Sequence, residues 1–202
     1  MSRGWNFADL FEALAERQPD ALAQRHGGRS TTWAELDRRA DGIAATLLDA
    51  GVAEQDKVAQ YLYNAPEYLE SALGAFKAGL ATVNTNYRYT ADELVYLWDN
   101  ADVVAVVFHG TFSERIAELR HRLPRIHTWV WVDDGHGPCP EWATPYEAAA
   151  GSAPGDAHAD DDDGLPDVDR ILQFVVDVAP SLLPLADPLP KALVAVIGPG
   201  WR

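Results

Sequence analysis

The sequence has one cysteine, few basic residues and no long apolar run. Cys139 has no second cysteine to pair with, so the chain has no internal disulfide and fits a reducing compartment. The formal net charge is −15, from 16 Lys and Arg against 31 Asp and Glu, and this disfavours a nucleic-acid surface because such a surface needs a basic patch. Neither a membrane-spanning run nor a secretory signal pattern is visible. We therefore expect a cytoplasmic protein with no membrane span and no nucleic-acid partner.

Charge and proline are concentrated in the last third of the chain. Residues 1–132 hold 18 acidic and 13 basic side chains, whereas residues 133–202 hold 13 acidic and 3 basic. Ten of the 13 prolines lie in that second part, where they disfavour helices and central strands. Asp160 to Asp163 form an unbroken acidic run, which is typical of a solvated linker. We predict a folded segment over residues 1–134 and an irregular, poorly ordered, acidic and proline-rich tail over residues 135–202.

The first 132 residues contain several helix patterns. Apolar residues at helical spacing predict a helix over residues 6–17, and a second apolar pattern over residues 66–78 ends at Gly79. A capping box pairs a hydroxyl with a carboxylate three residues later, and together they satisfy free amides at a helix start. That pattern occurs at three places, Thr32 with Glu35, Thr90 with Glu93, and Thr111 with Glu114. Three helix starts are thus predicted from local chemistry.

Strand patterns alternate with these helices. The short apolar runs lie at residues 57–62, 81–84, 103–108 and 128–132. A hairpin is predicted around Gly27 and Gly28, with strands over residues 21–26 and 29–33. Strands that alternate with helices of about ten residues indicate βαβ units. We predict an α/β fold with a partial, largely parallel sheet and flanking helices, in which the continuous apolar run 103–107 forms a central strand buried on both faces.

The chain lacks the usual signatures of catalysis and ligand binding. A phosphate loop combines several glycines with a lysine and a hydroxyl residue, and no such segment occurs in the 202 residues. Gly27-Gly28 and Gly198-Pro199-Gly200 are better explained as turns. Cys139 follows His136 closely, but its two proline neighbours indicate an exposed loop rather than an activated thiol.

Metal ligation and stacking are also disfavoured by the sequence. The histidines are not at paired ligand spacing and are expected to lie partly exposed in loops and at helix ends; they include His109, His121, His127, His136 and His158. The acidic run 160–163 lacks the spaced ligands and turn glycine of a calcium loop. Trp129, Trp131 and Trp142 could form a stacking platform, but no basic groove accompanies them, and the aromatic rings alone cannot hold a polyanion. Trp129 and Trp131 lie two apart on one strand and should pack on one face. We assign no catalytic, cofactor-binding or metal-binding residue.

Three motifs carry a family resemblance. They read TTWAEL at residues 31–36, FKAGLATVN at residues 76–84 and NYRYT at residues 86–90. In this order and spacing they resemble the N-terminal portion of AMP-forming acyl-CoA synthetases, in the adenylate-forming superfamily that includes fatty-acid and steroid-side-chain CoA ligases. The resemblance covers residues 5–134. Lys77 lies in the second motif, but a basic residue in a last helical turn is favoured by the helix dipole, so we interpret it as structural.

The resemblance implies an activity together with the parts that perform it. The family activates a carboxylic acid with ATP and Mg²⁺ to an acyl-adenylate and then transfers the acyl group to CoA. Its phosphate-holding loop, ribose-binding Asp and catalytic Lys are absent from these 202 residues. We therefore expect no cofactor for this chain alone, and an acyl substrate only in the complete enzyme. One hypothesis is a truncated reading frame, altered near residues 160–165, that encodes a fragment inactive by itself.

Other functions remain open at the level of sequence. The fragment hypothesis implies a partner, either the remainder of a synthetase or a second copy of the chain. An alternative is a non-catalytic interaction module that binds a partner through the exposed edge of an incomplete sheet. A third possibility is a pseudogene product, for which low solubility and rapid proteolysis are expected because unpaired sheet edges aggregate.

Overall fold

The computed structural model describes residues 7–152 of the 202-residue chain. The elements in chain order are α1 (Phe7–Arg17), β1 (Leu22–His26), β2 (Arg29–Thr32), α2 (Trp33–Asp49), β3 (Lys57–Tyr61), α3 (Pro66–Lys77), β4 (Ala81–Asn84), α4 (Ala91–Asn100), β5 (Val103–His109), α5 (Ser113–Leu119), β6 (Thr128–Val132), β7 (Thr144–Pro145) and α6 (Tyr146–Ala150). Short 3-10 turns flank α5 at Gly110–Phe112 and Arg120–Arg122. The alternation predicted from the sequence is therefore confirmed for the strands and for the helices between them.

The main sheet has five strands in the order β4-β3-β5-β6-β7. All four strand pairs are parallel, which confirms the predicted α/β class. From β3 the chain passes through α3 to the outer strand β4, then returns through α4 to β5 on the other side of β3. Strand order thus reverses between β3 and β5, which is where open α/β sheets usually bind ligands, at the carboxyl ends of the strands.

The strand β5 is central and is covered on both faces. All seven of its residues are buried, as predicted from its continuous apolar run. Ala105 and Val107 face α2, α3 and α6, whereas Val106 and Phe108 face α4 and α5. Two separate apolar clusters therefore pack against one strand, because successive side chains of a strand point to opposite faces.

A smaller antiparallel ribbon packs beside the helices. Strands β1 and β2 pair around Gly27 and Gly28, with His26 opposite Arg29, so the predicted hairpin is confirmed. Gly27 has φ of 57°, a left-handed conformation that glycine adopts without steric cost. A third apolar cluster joins α1, α2 and α3 next to this ribbon through Leu14, Trp33 and Leu73.

The three predicted helix caps have three different outcomes. At Thr90 the full capping box forms, with the Glu93 carboxylate accepting from the Thr90 amide at 2.8 Å. At Thr32 only the hydroxyl half forms, and the Glu35 carboxylate lies 3.7 Å from the Arg29 guanidinium. At Thr111 the prediction is wrong: a 3-10 turn occupies residues 110–112, and α5 begins at Ser113 without a side-chain cap.

The packed region extends beyond the predicted boundary at residue 134. Strand β7 pairs with β6, and α6 packs on α2 so closely that a Cβ at Gly42 would lie 2.5 Å from the Ala150 carbonyl oxygen. Trp142 stacks on Phe108 with ring centroids 5.6 Å apart. Residues 135–152 therefore belong to the folded unit, contrary to the predicted irregular tail. The acidic run 160–163 and the rest of residues 153–202 lie outside the described residues.

Between residues 7 and 152, no helix combines the length and apolar character needed to cross a membrane.

Candidate functional site

Four aromatic side chains meet at the carboxyl ends of β3 and β5. Tyr63 follows β3, Tyr87 follows β4, His109 ends β5, and Phe112 lies in the turn after β5. Ring centroids lie 5.0 Å apart for Tyr63 and Tyr87, 5.2 Å for Tyr63 and Phe112, and 5.7 Å for Tyr63 and His109. We call these four residues the aromatic edge. They lie at the point of strand-order reversal, where a binding site is expected from the topology.

The aromatic edge is half covered. Tyr63 and Tyr87 are 43% and 40% exposed, whereas His109 and Phe112 are buried. The sequence predicted His109 to lie partly exposed, and this prediction is wrong because His109 is the last residue of the central strand, where both faces are covered. The edge therefore combines two half-exposed tyrosines with a buried imidazole.

The tautomer of His109 follows from one hydrogen bond. The backbone amide of Tyr63 donates to His109 Nδ1 at 3.0 Å, so Nδ1 carries a lone pair and the ring proton of the neutral imidazole lies on Nε2. Burial lowers the pKa of His109, while the carboxylates of Asp134 and Glu67 oppose that decrease. The folded protein therefore holds His109 as a neutral hydrogen-bond donor through Nε2.

We expect the stability of the protein to fall in mildly acidic solution because of His109. The folded-state pKa of this histidine is lowered, so the unfolded chain takes up the proton first as pH drops below about 6.5. Its contribution to stability is thus complete above that pH and is lost below it, by up to about 1.4 kcal/mol per pH unit. Urea titrations between pH 7.5 and pH 5 measure this slope. His109→Gln, whose amide can also accept from the Tyr63 amide, should reduce the slope; equal slopes would contradict the assignment.

Arg115 holds the loop that carries Tyr87. Its guanidinium donates to the Tyr61 hydroxyl at 2.7 Å and to the Tyr89 carbonyl at 3.0 Å. The guanidinium of Arg88 lies over the Tyr87 ring at 5.3 Å, an arrangement that cation–π attraction favours. The NYRYT segment of the sequence is therefore an ordered loop, and its exposed cation lies beside the aromatic edge.

A carboxylate fixes the turn below the aromatic edge. Asp134 accepts from the Thr111 amide at 3.1 Å and from the His136 amide at 3.2 Å. A Cβ at Gly110 would lie 2.8 Å from the Asp134 carboxylate and 2.9 Å from Trp131 Nε1. A side chain at residue 110 would therefore require the Asp134 carboxylate or the Trp131 ring to move.

A partly buried ion cluster joins α2, α3 and α6, the helices that cover one face of the sheet. Glu70 is 0% exposed and accepts from Arg39 Nε at 2.9 Å, from the Tyr146 hydroxyl at 3.2 Å and from Gln24 Nε2 at 3.2 Å. Arg39 also donates twice to Glu147, at 2.9 Å for each bond. We call these five residues the Glu70 cluster.

The charges of the Glu70 cluster balance each other in part. Hydrogen bonds to Glu147 raise the pKa of Arg39, and the guanidinium in turn lowers the pKa of Glu147. Burial raises the pKa of Glu70, and Arg39 counters that increase. Because every oxygen of Glu70 has a donor, the cluster is a structural connection between β1, α2, α3 and α6 rather than an open site.

Lys77 is the buried centre of a second charged cluster. Its ammonium contacts carboxylate oxygens of Asp41 at 2.6 Å, Asp37 at 2.8 Å and Glu12 at 2.9 Å. The three carboxylates could by themselves hold a metal ion, since their oxygens lie within 4.8 Å of one another, but the ammonium of Lys77 occupies their centre. Burial disfavours the charged ammonium, yet the hydrogen bonds to the three carboxylates raise the pKa of Lys77 above its usual value. Its position between α1, α2 and α3 gives Lys77 a structural role.

Cys139 and His136 do not face each other. The Cys139 thiol contacts the carbonyl oxygens of Ala143 at 3.5 Å and Pro140 at 3.6 Å, and burial raises its pKa. His136 lies 3.3 Å from the Asp134 carboxylate instead. The sequence predicted an exposed loop for Cys139, whereas the structure half-buries it against the cluster that contains Trp129. A thiol with a raised pKa is a poor nucleophile.

The sequence-based search missed the residues of these clusters. Arg39 falls three residues after Leu36, on the apolar face of α2, and Glu70 and Lys77 are seven apart on one face of α3. A charged residue at a core-facing helical position is a signal that the spacing alone could have provided. His109 carried no such signal, because its burial depends on the packing of the turn and helix that come after β5.

The chain belongs to the AMP-binding enzyme family, since the family model matches residues 11–168. It is 40% identical over 130 residues to a medium/long-chain-fatty-acid–CoA/3-oxocholest-4-en-26-oate–CoA ligase of Mycolicibacterium smegmatis, covering 64% of this chain and 24% of that protein. It is 37% identical over 130 residues to a 3-oxocholest-4-en-26-oate–CoA ligase of Rhodococcus rhodochrous, covering 64% of this chain and 23% of that protein. The chain thus spans about a quarter of the length of these relatives.

Solved structures share the fold. An anthranilate CoA ligase in complex with anthranoyl-AMP superposes with a TM-score of 0.67 at 21% identity, covering 72% of this chain and 28% of that chain. Acetoacetyl-CoA synthetase from Streptomyces lividans superposes with a TM-score of 0.67 at 23% identity, covering 74% of this chain and 26% of that chain. Both confirm that the parallel sheet is one found in this family of ligases.

Proposed function

We propose that this chain is the N-terminal portion of an acyl-CoA ligase and that its 202 residues do not by themselves complete the reaction. The observation that carries the proposal is the match of residues 11–168 to the AMP-binding enzyme family together with 40% identity to a fatty-acid and steroid-acid CoA ligase over only 24% of that protein. The proposed substrates of the whole enzyme are a carboxylic acid, ATP with Mg²⁺, and CoA. Its acid is of the fatty or steroid-side-chain type named for the relatives.

The proposed reaction has two steps. An acid carboxylate attacks the α-phosphorus of ATP, forming the acyl–O–P bond as pyrophosphate leaves, and the CoA thiolate then attacks the acyl carbonyl as AMP leaves. Both steps need positioned donors that stabilise the charge developing on the transferred group. Residues 7–152 place no glycine-rich loop at the carboxyl ends of the strands, and their buried lysine, Lys77, is held among three carboxylates. The described residues are therefore suited to a structural role in the enzyme and not to catalysis of the reaction.

An activity assay tests this proposal directly. The purified 202-residue chain is incubated with ATP, Mg²⁺, CoA and a panel of fatty and steroid-side-chain acids, and AMP release is measured. We expect no AMP above background, while the M. smegmatis relative under the same conditions serves as the positive control. Turnover by the chain alone would show that it holds its own catalytic groups and would overturn the second half of the proposal.

A further inference from the structure

The turn between β3 and α3 is bound to the sheet by a side chain. Tyr63 lies two residues after the end of β3, and its backbone amide donates to His109 Nδ1 at 3.0 Å. Tyr63 and Asn64 are exposed, and the chain is buried again at Pro66, where α3 begins. A short exposed turn is thus joined to a buried imidazole by a backbone hydrogen bond.

Aromatic contacts also hold this turn. The Tyr63 ring centroid lies 5.7 Å from that of His109, 5.2 Å from that of Phe112 and 5.0 Å from that of Tyr87. Tyr63 is nevertheless 43% exposed, so these contacts cover only part of the ring. Apolar contacts do not depend on pH in this range, whereas the hydrogen bond to Nδ1 does, because it needs an unprotonated nitrogen.

Protonation of His109 removes the hydrogen bond that holds the turn. Nδ1 carries the lone pair of the neutral ring, so a proton from solvent binds there and converts the acceptor into a donor. The N–H groups of Tyr63 and of the imidazolium then point at each other and repel. The turn has to move away from the ring, because a donor held in the interior without an acceptor costs free energy.

The charged groups around His109 favour the imidazolium once the turn has moved. The carboxylates of Asp134, after β6, and Glu67, on α3, raise the pKa of His109, and burial lowers it. The cations of the neighbouring elements, Arg115 on α5 and Arg88 after β4, are directed at tyrosines instead. Opening of the turn admits water to the imidazole, which reduces the effect of burial and leaves the attraction of the two carboxylates.

We propose that the turn between β3 and α3 is a pH-sensitive switch, which neutral His109 holds closed and which opens when a proton binds at Nδ1. The sheet stays folded during this change, since β3 and β5 pair through their own backbones up to Tyr61 and Phe108. Opening separates the Tyr63 ring from Tyr87 and so rearranges the aromatic edge. The inference goes beyond the proposed ligase reaction and does not depend on it.

The size of the effect follows from proton linkage. An imidazole in water has a pKa of about 6.5, whereas the closed turn leaves Nδ1 unprotonated. The ratio of open to closed turn should therefore rise about 30-fold between pH 7.5 and pH 5.

Amide hydrogen exchange of the 202-residue chain, followed by NMR at the Tyr63 amide, tests the inference. We expect its protection, corrected for the intrinsic rate at each pH, to fall about 30-fold between pH 7.5 and pH 5. Low concentrations of urea should leave this exchange unchanged, because a local opening exposes little surface. Exchange of the Val106 amide in the central strand should in contrast become faster with urea, since it requires unfolding of the sheet.

Two histidine variants identify the group that binds the proton. His109→Gln provides an amide oxygen that can accept from the Tyr63 amide and does not titrate, so protection should be equal at the two pH values. His136→Gln is the matched control. It removes an exposed imidazole that lies 3.3 Å from the Asp134 carboxylate, and it should keep the roughly 30-fold fall.

Three results would overturn the inference. One is a Tyr63 amide that is unprotected at pH 7.5 or equally protected at pH 5. Another is the same fall in protection for wild type and for His109→Gln, with a melting temperature that shows the variant to be folded. The third is Tyr63 exchange that rises with urea as steeply as Val106 exchange, because the whole fold then opens. If His109→Gln does not fold, the first and third measurements on the wild-type chain still decide.

Discussion

Arg39→Ala should destabilise the protein by about 3–5 kcal/mol, as is typical when one partner of a buried charge pair is removed. The Glu70 carboxylate is 0% exposed and loses a donor at 2.9 Å. Glu147 loses both of its hydrogen bonds from the same guanidinium, so α6 loses its ionic contact with α2. The size of the effect comes mainly from the carboxylate of Glu70, which would keep two neutral donors, Gln24 and Tyr146, and only a distant cation, Arg29, at 3.9 Å.

Chemical denaturation with the adjacent arginine as control measures this effect. Arg38 precedes Arg39 on the same helix but is exposed, so Arg38→Ala should change stability by less than about 0.5 kcal/mol. Arg39→Lys keeps the charge but cannot bind Glu147 with two parallel hydrogen bonds, and it should fall between Arg39→Ala and wild type. A loss below about 1 kcal/mol for Arg39→Ala, the size of a surface pair, would show that the Glu70 cluster contributes little.

Lys77→Met should also destabilise the protein, on the order of 2 kcal/mol or more. Three carboxylates then face one another without the ammonium that each contacts at 2.9 Å or less. Their side chains are about one third exposed, at 31%, 28% and 31%, so water reduces the effect below that of a fully buried charge. Thermal melts compare this variant with Lys57→Met, which removes the same charge from the half-buried start of β3.

A divalent cation should partly restore the Lys77→Met variant. Glu12, Asp37 and Asp41 hold oxygens within 4.8 Å of one another, and carboxylate oxygens are the ligands that Ca²⁺ prefers. Millimolar Ca²⁺ should therefore raise the melting temperature of the variant through binding to its folded form, and leave the wild-type protein unchanged because Lys77 fills the position. A wild-type protein that responds equally would show that the ion binds elsewhere.

The elements of the fold could be predicted where their causes are local. The apolar run of β5 indicates a strand buried on both faces, and Gly27 with Gly28 indicates the hairpin, because backbone conformation and alternation are set within a few residues. The same reasoning failed at Thr111. There the backbone amide donates at 3.1 Å to the carboxylate of Asp134, which follows β6, and a 3-10 turn replaces the predicted cap. A contact from 23 residues away cannot be read from three-residue spacing.

The boundary of the folded segment that composition predicted also differs from the structure. Proline content and acidic charge predicted an irregular chain after residue 134, yet Thr144–Pro145 pairs with β6 and Tyr146–Ala150 packs as α6. A five-residue helix has little stability by itself. It forms here because Gly42 allows close approach and because Tyr146 and Glu147 bind the partners held by α2 and α3, which no local pattern reveals.

By itself, the sequence determined the α/β class, the order of helices and strands and the family, because these follow from hydrophobic periodicity, turn residues and motifs in a fixed order. Only the tertiary structure determined the sites. Arg39 meets Glu70 across 31 residues and Glu147 across 108, and His109 meets the Tyr63 amide across 46. Such pairs form only because the arrangement of the strands and helices brings distant parts of the chain together. The charge partners of Arg39 and the tautomer of His109 therefore follow from the fold, because a buried polar group needs a specific hydrogen-bond partner.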